Sequence, residues 1–267
     1  MIIYRKPIEI FTEFAKIYSG ITGLSEDIVA QSVKDIKSYY KTGENKSLSF
    51  QQKEKWYSSL KDGNPDYSLY DTDDYVLDTY FCFEKYSRRY IKELTKGRNF
   101  EDNIPFLTTI KQSTHSIVDV GCGIGYSTAA FKELLPDHDV YGFNLSNTTQ
   151  YKICEKVADK YNFNLTGSLE KIGNIDTIFA SEYFEHFEKP IEHLKEIVNI
   201  TNPKYFIIAN SFNTTSIGHF ITYKHNGKEI DQSKISRLFN ENVLACGYKK
   251  VKSKIFNSKP NIFVKIE

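Results

Sequence analysis

The chain has 267 residues with 35 Lys and Arg against 34 Asp and Glu, so no net field draws it to nucleic acid or to a charged membrane surface. No uninterrupted apolar run reaches the ~20 residues of a membrane span, and no signal-peptide core follows Met1 to Lys6, so a soluble, cytoplasmic protein without membrane partners is expected. Cys82, Cys122, Cys154 and Cys246 are scattered without a C-x-x-C pair, which argues against a zinc cage and for reduced, packed thiols.

Residues 1–111 read as a helical cap or lid ahead of a second unit, 112–267. Ile8, Phe11, Phe14, Ala15 and Tyr18 recur at helical spacing, and a second helix starts near Ser25 with Val29, Val33 and Ile36 on one face. Thr42 to Ser49 is polar and reads as a connector; a helix from Gln51 to Leu60 then stops at Gly63-Asn64-Pro65. From Asp73 to about Leu94 the spacing predicts one long helix whose Tyr80, Phe83, Tyr86 and Tyr90 form a single aromatic stripe. Such a stripe at helical spacing is read first as packing.

The second unit begins with an apolar strand, Ile117 to Val120, that runs into Gly121-Cys122-Gly123-Ile124-Gly125. Glycines at this spacing let the backbone turn sharply and approach a ligand closely before a helix starts. A dinucleotide fingerprint needs glycine at 126, where Tyr126 stands. Helix and strand patterns then alternate: helices over 126–135, 150–161, 190–200 and 235–245, strands over 139–144, 175–180 and 205–209, and two closing strands near Val251 to Phe256 and Asn261 to Ile266. Alternation of this kind predicts an α/β, doubly wound, Rossmann-like and mostly parallel sheet with its ligand at the carboxyl ends of the strands.

Val118-Asp119-Val120-Gly121-Cys122-Gly123-Ile124-Gly125 resembles the first motif of the class I S-adenosylmethionine-dependent methyltransferases, over roughly residues 112–267. The resemblance implies a seven-stranded sheet under a helical lid, and S-adenosylmethionine held by Asp119, Gly121, Cys122, Gly123, Gly125 and Ser181. Asn144-Leu145 stands where that family carries an acid for the ribose hydroxyls, and Ser168-Leu169 where it carries an aspartate near the adenine. An amide keeps one donor and one acceptor there but gives up charge-assisted bonds.

A second constellation, Ser181-Glu182-Tyr183-Phe184-Glu185-His186, follows the strand that ends at Ala180. A helical turn there would put Glu182, Glu185 and His186 on one face, a donor set suited to magnesium, manganese or zinc, with His219 or His225 as a fourth ligand. This E-x-x-E-H run resembles metal-linked O-methyltransferases that act on phenolic hydroxyls or on the 2′-hydroxyl at the end of small RNAs, and implies Glu182, Glu185, His186 and His219 as ligands. Without an ion, His186 or His219 is the expected general base. O-methylation of a small hydroxylated molecule is the first reading. An RNA 2′-O-methyltransferase is the second, carried by six lysines against one acid from Tyr248 onward. A non-catalytic nucleoside-binding domain is the third.

Overall fold

The computed structural model describes residues 1–42, 48–255 and 259–266, with backbone only at 48–50. Helix α1 (Pro7–Thr22) starts on a proline, whose missing N–H costs nothing at that position, and ends where Gly23 turns left-handed at φ 78°. It buries Ile10, Phe14, Ala15 and Tyr18, while Ile8 of the expected face stays exposed. Helix α2 (Glu26–Thr42) carries Glu26 and Asp27 in its first turn and buries Val29, Val33 and Ile36. Most of the expected connector, 43–47, lies outside the described residues; Leu48 and Ser49 instead open α3 (Leu48–Lys61).

The long helix departs from expectation in its middle. Thr72 caps α4 (Asp73–Cys82) by accepting from the Tyr75 N–H; a π-helical turn, Phe83–Ser87, then separates it from α5 (Arg88–Lys96). A π turn inserts a residue into the helical period, so the aromatic stripe is rephased. Tyr80 stacks on Phe14 at 4.5 Å between centroids, Phe83 meets Tyr126 at 5.5 Å, and Tyr86 turns toward a large cavity. The short strand β1 (Arg98–Asn99) and helix α6 (Phe106–Ser113) lead into the sheet. Phe14 and Tyr80 share one apolar cluster with Ile117, Tyr126 and Phe131, so the core runs unbroken from the helical half into the second.

Strands β2 (Ser116–Val120), β3 (Asp139–Phe143), β4 (Asn164–Thr166), β5 (Thr177–Ser181) and β6 (Tyr205–Ala209) alternate with α7 (Tyr126–Leu134), α8 (Thr149–Tyr161) and α9 (Pro190–Thr201). A hairpin, β7 (Thr222–His225) and β8 (Lys228–Asp231), precedes α10 (Gln232–Ala245), β9 (Tyr248–Lys250), β10 (Ser253–Lys254) and β11 (Asn261–Lys265). The main sheet has the order β4-β3-β2-β5-β6-β11-β9; the first five strands are parallel, and β11 runs antiparallel to both β6 and β9. This is the expected seven-stranded, doubly wound sheet. The chain leaves β2 toward β3 and β4, then lays β5 and β6 on the other side, so the carboxyl ends of β2 and β5 flank the crevice where such sheets bind ligands.

The hairpin is absent from the sequence-based expectation although its signal is present. Asn226 and Gly227 take φ 50° and 72°, the pair of left-handed residues that a tight two-residue hairpin turn needs. Of the strand expected from Val251 to Phe256, only Ser253–Lys254 forms, paired with β1; Phe256 lies outside the described residues. Among the described residues no helix is long and apolar enough to cross a membrane.

Candidate active site

Three left-handed glycines build the loop between β2 and α7, with φ of 70° at Gly121, 55° at Gly123 and 86° at Gly125. The amides of Gly121 and Cys122 both donate to the Phe143 carbonyl, at 2.9 and 3.1 Å, which ties the loop to the end of β3. A Cβ on Gly121 would stand 2.2 Å from the Tyr183 ring, and one on Gly123 would stand 2.5 Å from the Thr79 methyl of α4. The loop is thus bounded on one side by the β5 exit and on the other by α4.

Asp119 is buried beneath this loop. Its Oδ2 accepts from Ser127 Oγ at 2.5 Å and Thr128 Oγ1 at 2.8 Å, fastening β2 to the first turn of α7. Burial pushes its carboxyl up to about 7 against the lowering effect of those two donors. Asn144 braces the loop in a way an acid could not: its Nδ2 donates to the Gly123 carbonyl at 2.8 Å, while its Oδ1 accepts from the Leu145 N–H at 2.8 Å. The departure from the family pattern therefore has a structural use, since a carboxylate has no proton for Gly123.

These elements open onto a cavity of about 1250 Å³. Asp119, Gly121, Cys122, Gly123, Asn144, Leu145 and Ser181, all expected at the cofactor, lie on its wall. Gly125, Ser168 and Leu169 do not: Gly125 backs onto Cys154 and Phe163, Ser168 Oγ donates to Glu170 Oε2 at 2.5 Å, and Leu169 is buried with Ile175 and Ile178 under the sheet. Gly167 packs against Ser146 after β4 ends at Thr166, and the chain turns away from the crevice. Thr148 and Gln150 at the start of α8 line that side instead. Helix α4 contributes Asp78 and Thr79, and the π turn Tyr86 and Ser87; Tyr86 is expected as packing, and the π turn that aims it carries no periodic signal.

The constellation after β5 does not form the expected helix face. Glu182 is left-handed at φ 52°, and only a single 3-10 turn, Phe184–His186, follows. Glu182 Oε1 accepts from the Tyr90 hydroxyl at 3.0 Å, whereas Glu185 is fully buried and accepts from the Ser211 N–H at 2.7 Å. Burial and the neighbouring Glu182 hold the Glu185 carboxyl well above the usual range. His186 and His219 pair separately, their rings edge to face at 4.8 Å. His225 sits on the hairpin with Nδ1 on Glu192 at 2.9 Å. Carboxylates and imidazoles are thus split into two pairs, and among the described residues no three His, Cys, Asp or Glu side chains gather to hold an ion. The metal set expected from Glu182, Glu185, His186 and His219 is corrected on this point: the left-handed turn at Glu182 removes the i, i+3, i+4 geometry on which it rested.

The two imidazoles are both held uncharged by burial. His219 Nδ1 lies 2.7 Å from the Thr214 carbonyl, which can only accept, so Nδ1 carries the proton and Nε2 keeps its lone pair. Burial pushes its pKa down to about 4, and burial with His219 alongside takes His186 well below the ordinary histidine value, so both rings are neutral near pH 7. Long-range proton–nitrogen correlation spectra are expected to give the Nδ1–H form for His219, with no protonation as the pH falls from 7 to about 5. A His219 ring that titrates near 6.5 would contradict the assignment.

Residues 83–242 match a family model described as a methyltransferase domain. No curated protein matches the chain. Among solved structures, magnesium protoporphyrin IX methyltransferase from Synechocystis PCC 6803 is similar at 12% identity and a TM-score of 0.44, over 88% of this chain and 97% of that one. The sugar N-methyltransferase from Streptoalloteichus sp ATCC 53650 is similar at 12% identity and a TM-score of 0.48, over 71% and 92%.

Proposed function

The chain belongs to the methyltransferase-domain family of S-adenosylmethionine-dependent enzymes, and from that premise we propose that it methylates a hydroxyl oxygen of a small molecule, with residues 1–111 as the cap over the acceptor. The observation that carries this reading is His219: a neutral imidazole, locked by Thr214 with its Nε2 lone pair free, on the wall of the cavity that the glycine loop opens. Bound S-adenosylmethionine supplies an electrophilic sulfonium methyl. Asp119, Gly121, Cys122, Gly123, Asn144, Leu145 and Ser181 would hold that cofactor, since they line the cavity at the carboxyl ends of β2, β3 and β5, the crevice where doubly wound sheets bind their ligands.

Transfer by in-line attack asks the protein for alignment more than for covalent help. His219 Nε2 takes the hydroxyl proton as the oxygen attacks, and His186, edge-on to it, excludes water from one side of the base. Ligand pockets commonly span about 300–1,000 Å³, so a cavity of about 1250 Å³ holds a nucleoside cofactor and a small acceptor together.

The basic carboxyl-terminal stretch favours the small-molecule reading over RNA. Lys249, Lys250 and Lys252 border a groove with Lys204 and Lys265, at the amino ends of β5 and β6, opposite the carboxyl ends that face the cavity. Membership of an enzyme family sets aside the reading as a passive nucleoside-binding module. The test is transfer of a labelled methyl from S-adenosylmethionine to a panel of small phenols, alcohols and amines, with products located by mass spectrometry. O-methyl products are expected; label found on nitrogen alone would overturn the oxygen assignment.

A further inference from the structure

Asp78 has no part in the chemistry above, yet it is 6% exposed and stands on the cavity wall. Its Oδ2 accepts from the Tyr40 hydroxyl at 3.2 Å, and that hydroxyl also lies 3.5 Å from Ser216 Oγ. Its Oδ1 is buried and has no hydrogen-bond partner among the described residues. A buried carboxyl oxygen in that condition forfeits its hydration for nothing in return, a cost that a ligand donor removes.

The surroundings specify the donor. The rings of Tyr40, Tyr75, Phe83 and Tyr86 line the cavity with Asp78, and an aromatic wall beside a carboxylate is the arrangement that attracts a cation. The charged groups acting on Asp78 from its own helix and from the π turn are Asp74 and Lys85. The Lys85 ammonium lies over the Tyr40, Phe81 and Tyr86 rings at 5.1, 5.1 and 4.9 Å and is off the cavity wall. Lys189 and Lys195, the lysines on that wall among the described residues, stand among Glu188, Glu192 and Glu196. Ser216 precedes His219 by three residues and lies on the same wall, so Asp78 and the imidazoles border one chamber.

We propose that Asp78, framed by Tyr40 and Tyr75, binds a protonated amine on the methyl acceptor. The acceptor is then a hydroxylated small molecule that also bears an ammonium group. The hydroxyl half of this statement rests on the oxygen-transfer reading above; the amine half rests on Asp78 alone.

The probes are tyramine and 4-ethylphenol, which share a phenol and differ in the ammonium, titrated calorimetrically into the full chain saturated with S-adenosylhomocysteine. Tyramine is expected to bind at least about tenfold more tightly. Asp78→Asn is expected to reduce that gap to about threefold or less while S-adenosylhomocysteine affinity stays within about threefold. Equal affinity of the two probes for the wild type overturns the proposal, as does binding of neither while S-adenosylhomocysteine binds; these outcomes do not depend on the variant folding. A variant that loses S-adenosylhomocysteine affinity tenfold and keeps the gap also overturns it, and assigns Asp78 to the cofactor. Methyl transfer to the tyramine nitrogen instead of its oxygen overturns the oxygen-transfer reading, while the affinity gap and its loss in Asp78→Asn decide the amine site separately.

Discussion

His219→Asn is expected to lower methyl transfer by about 10²- to 10⁴-fold, the range that a positioned general base contributes. Asparagine suits the test because its amide N–H can replace Nδ1 as donor to the Thr214 carbonyl, now 2.7 Å away, while the Nε2 lone pair disappears. The neighbouring Trp56 Nε1–H donates to the backbone carbonyl of residue 219 at 2.8 Å, a contact that the substitution leaves in place. S-adenosylhomocysteine affinity is therefore expected to stay within about threefold, because the loss falls on the chemical step and not on cofactor binding. Transfer at wild-type rate in the variant would remove His219 from the mechanism and leave His186 as the nearest imidazole.

Gly121→Ala is expected to weaken S-adenosylhomocysteine binding by about 30-fold or more. Two costs combine. A non-glycine residue at φ 70° pays about 1–2 kcal/mol, and the new methyl would meet Tyr183 Cδ2 at 2.2 Å. The Tyr183 ring has little room to yield, since its hydroxyl lies 2.9 Å from His193 Nε2 and Phe184 and Phe187 pack edge-on against it. Overpacking of this kind costs about 1–3 kcal/mol. Gly173→Ala separates the two terms: its φ of 73° carries the same backbone strain, but nothing lies within 4 Å of its Cβ. That variant is expected to lose about 1–2 kcal/mol of stability in urea unfolding with cofactor affinity unchanged. If both variants bind S-adenosylhomocysteine as the wild type does, the loop is not the cofactor cradle.

The glycine loop was legible in the residues. Glycine spacing reports backbone conformation directly, and Gly121, Gly123 and Gly125 are left-handed as that spacing requires. The geometry of the run after β5 was not. The E-x-x-E-H run was read through helical periodicity, but the left-handed turn at Glu182 is held by a 2.7 Å bond from its N–H to the Ala209 carbonyl on the adjacent strand, a partner far along the chain. Asn144 read as a weakened ribose contact and proved to be a brace on Gly123, because only the folded loop brings that carbonyl to its amide.

The sequence by itself determined the class of fold, the alternation of the parallel strands with their helices, and the position of the glycine loop. Each of these follows from periodicities and backbone preferences that act over a few residues. Tertiary structure alone decided which partner each of these polar side chains meets. Tyr40 reaches Asp78 across 38 positions, Trp56 reaches residue 219 across 163, and the pairing of His186 with His219 depends on the loop after β6 folding back over the exit of β5. Burial and partner choice set the protonation of such groups, and both are properties of the packed chain that no local pattern encodes.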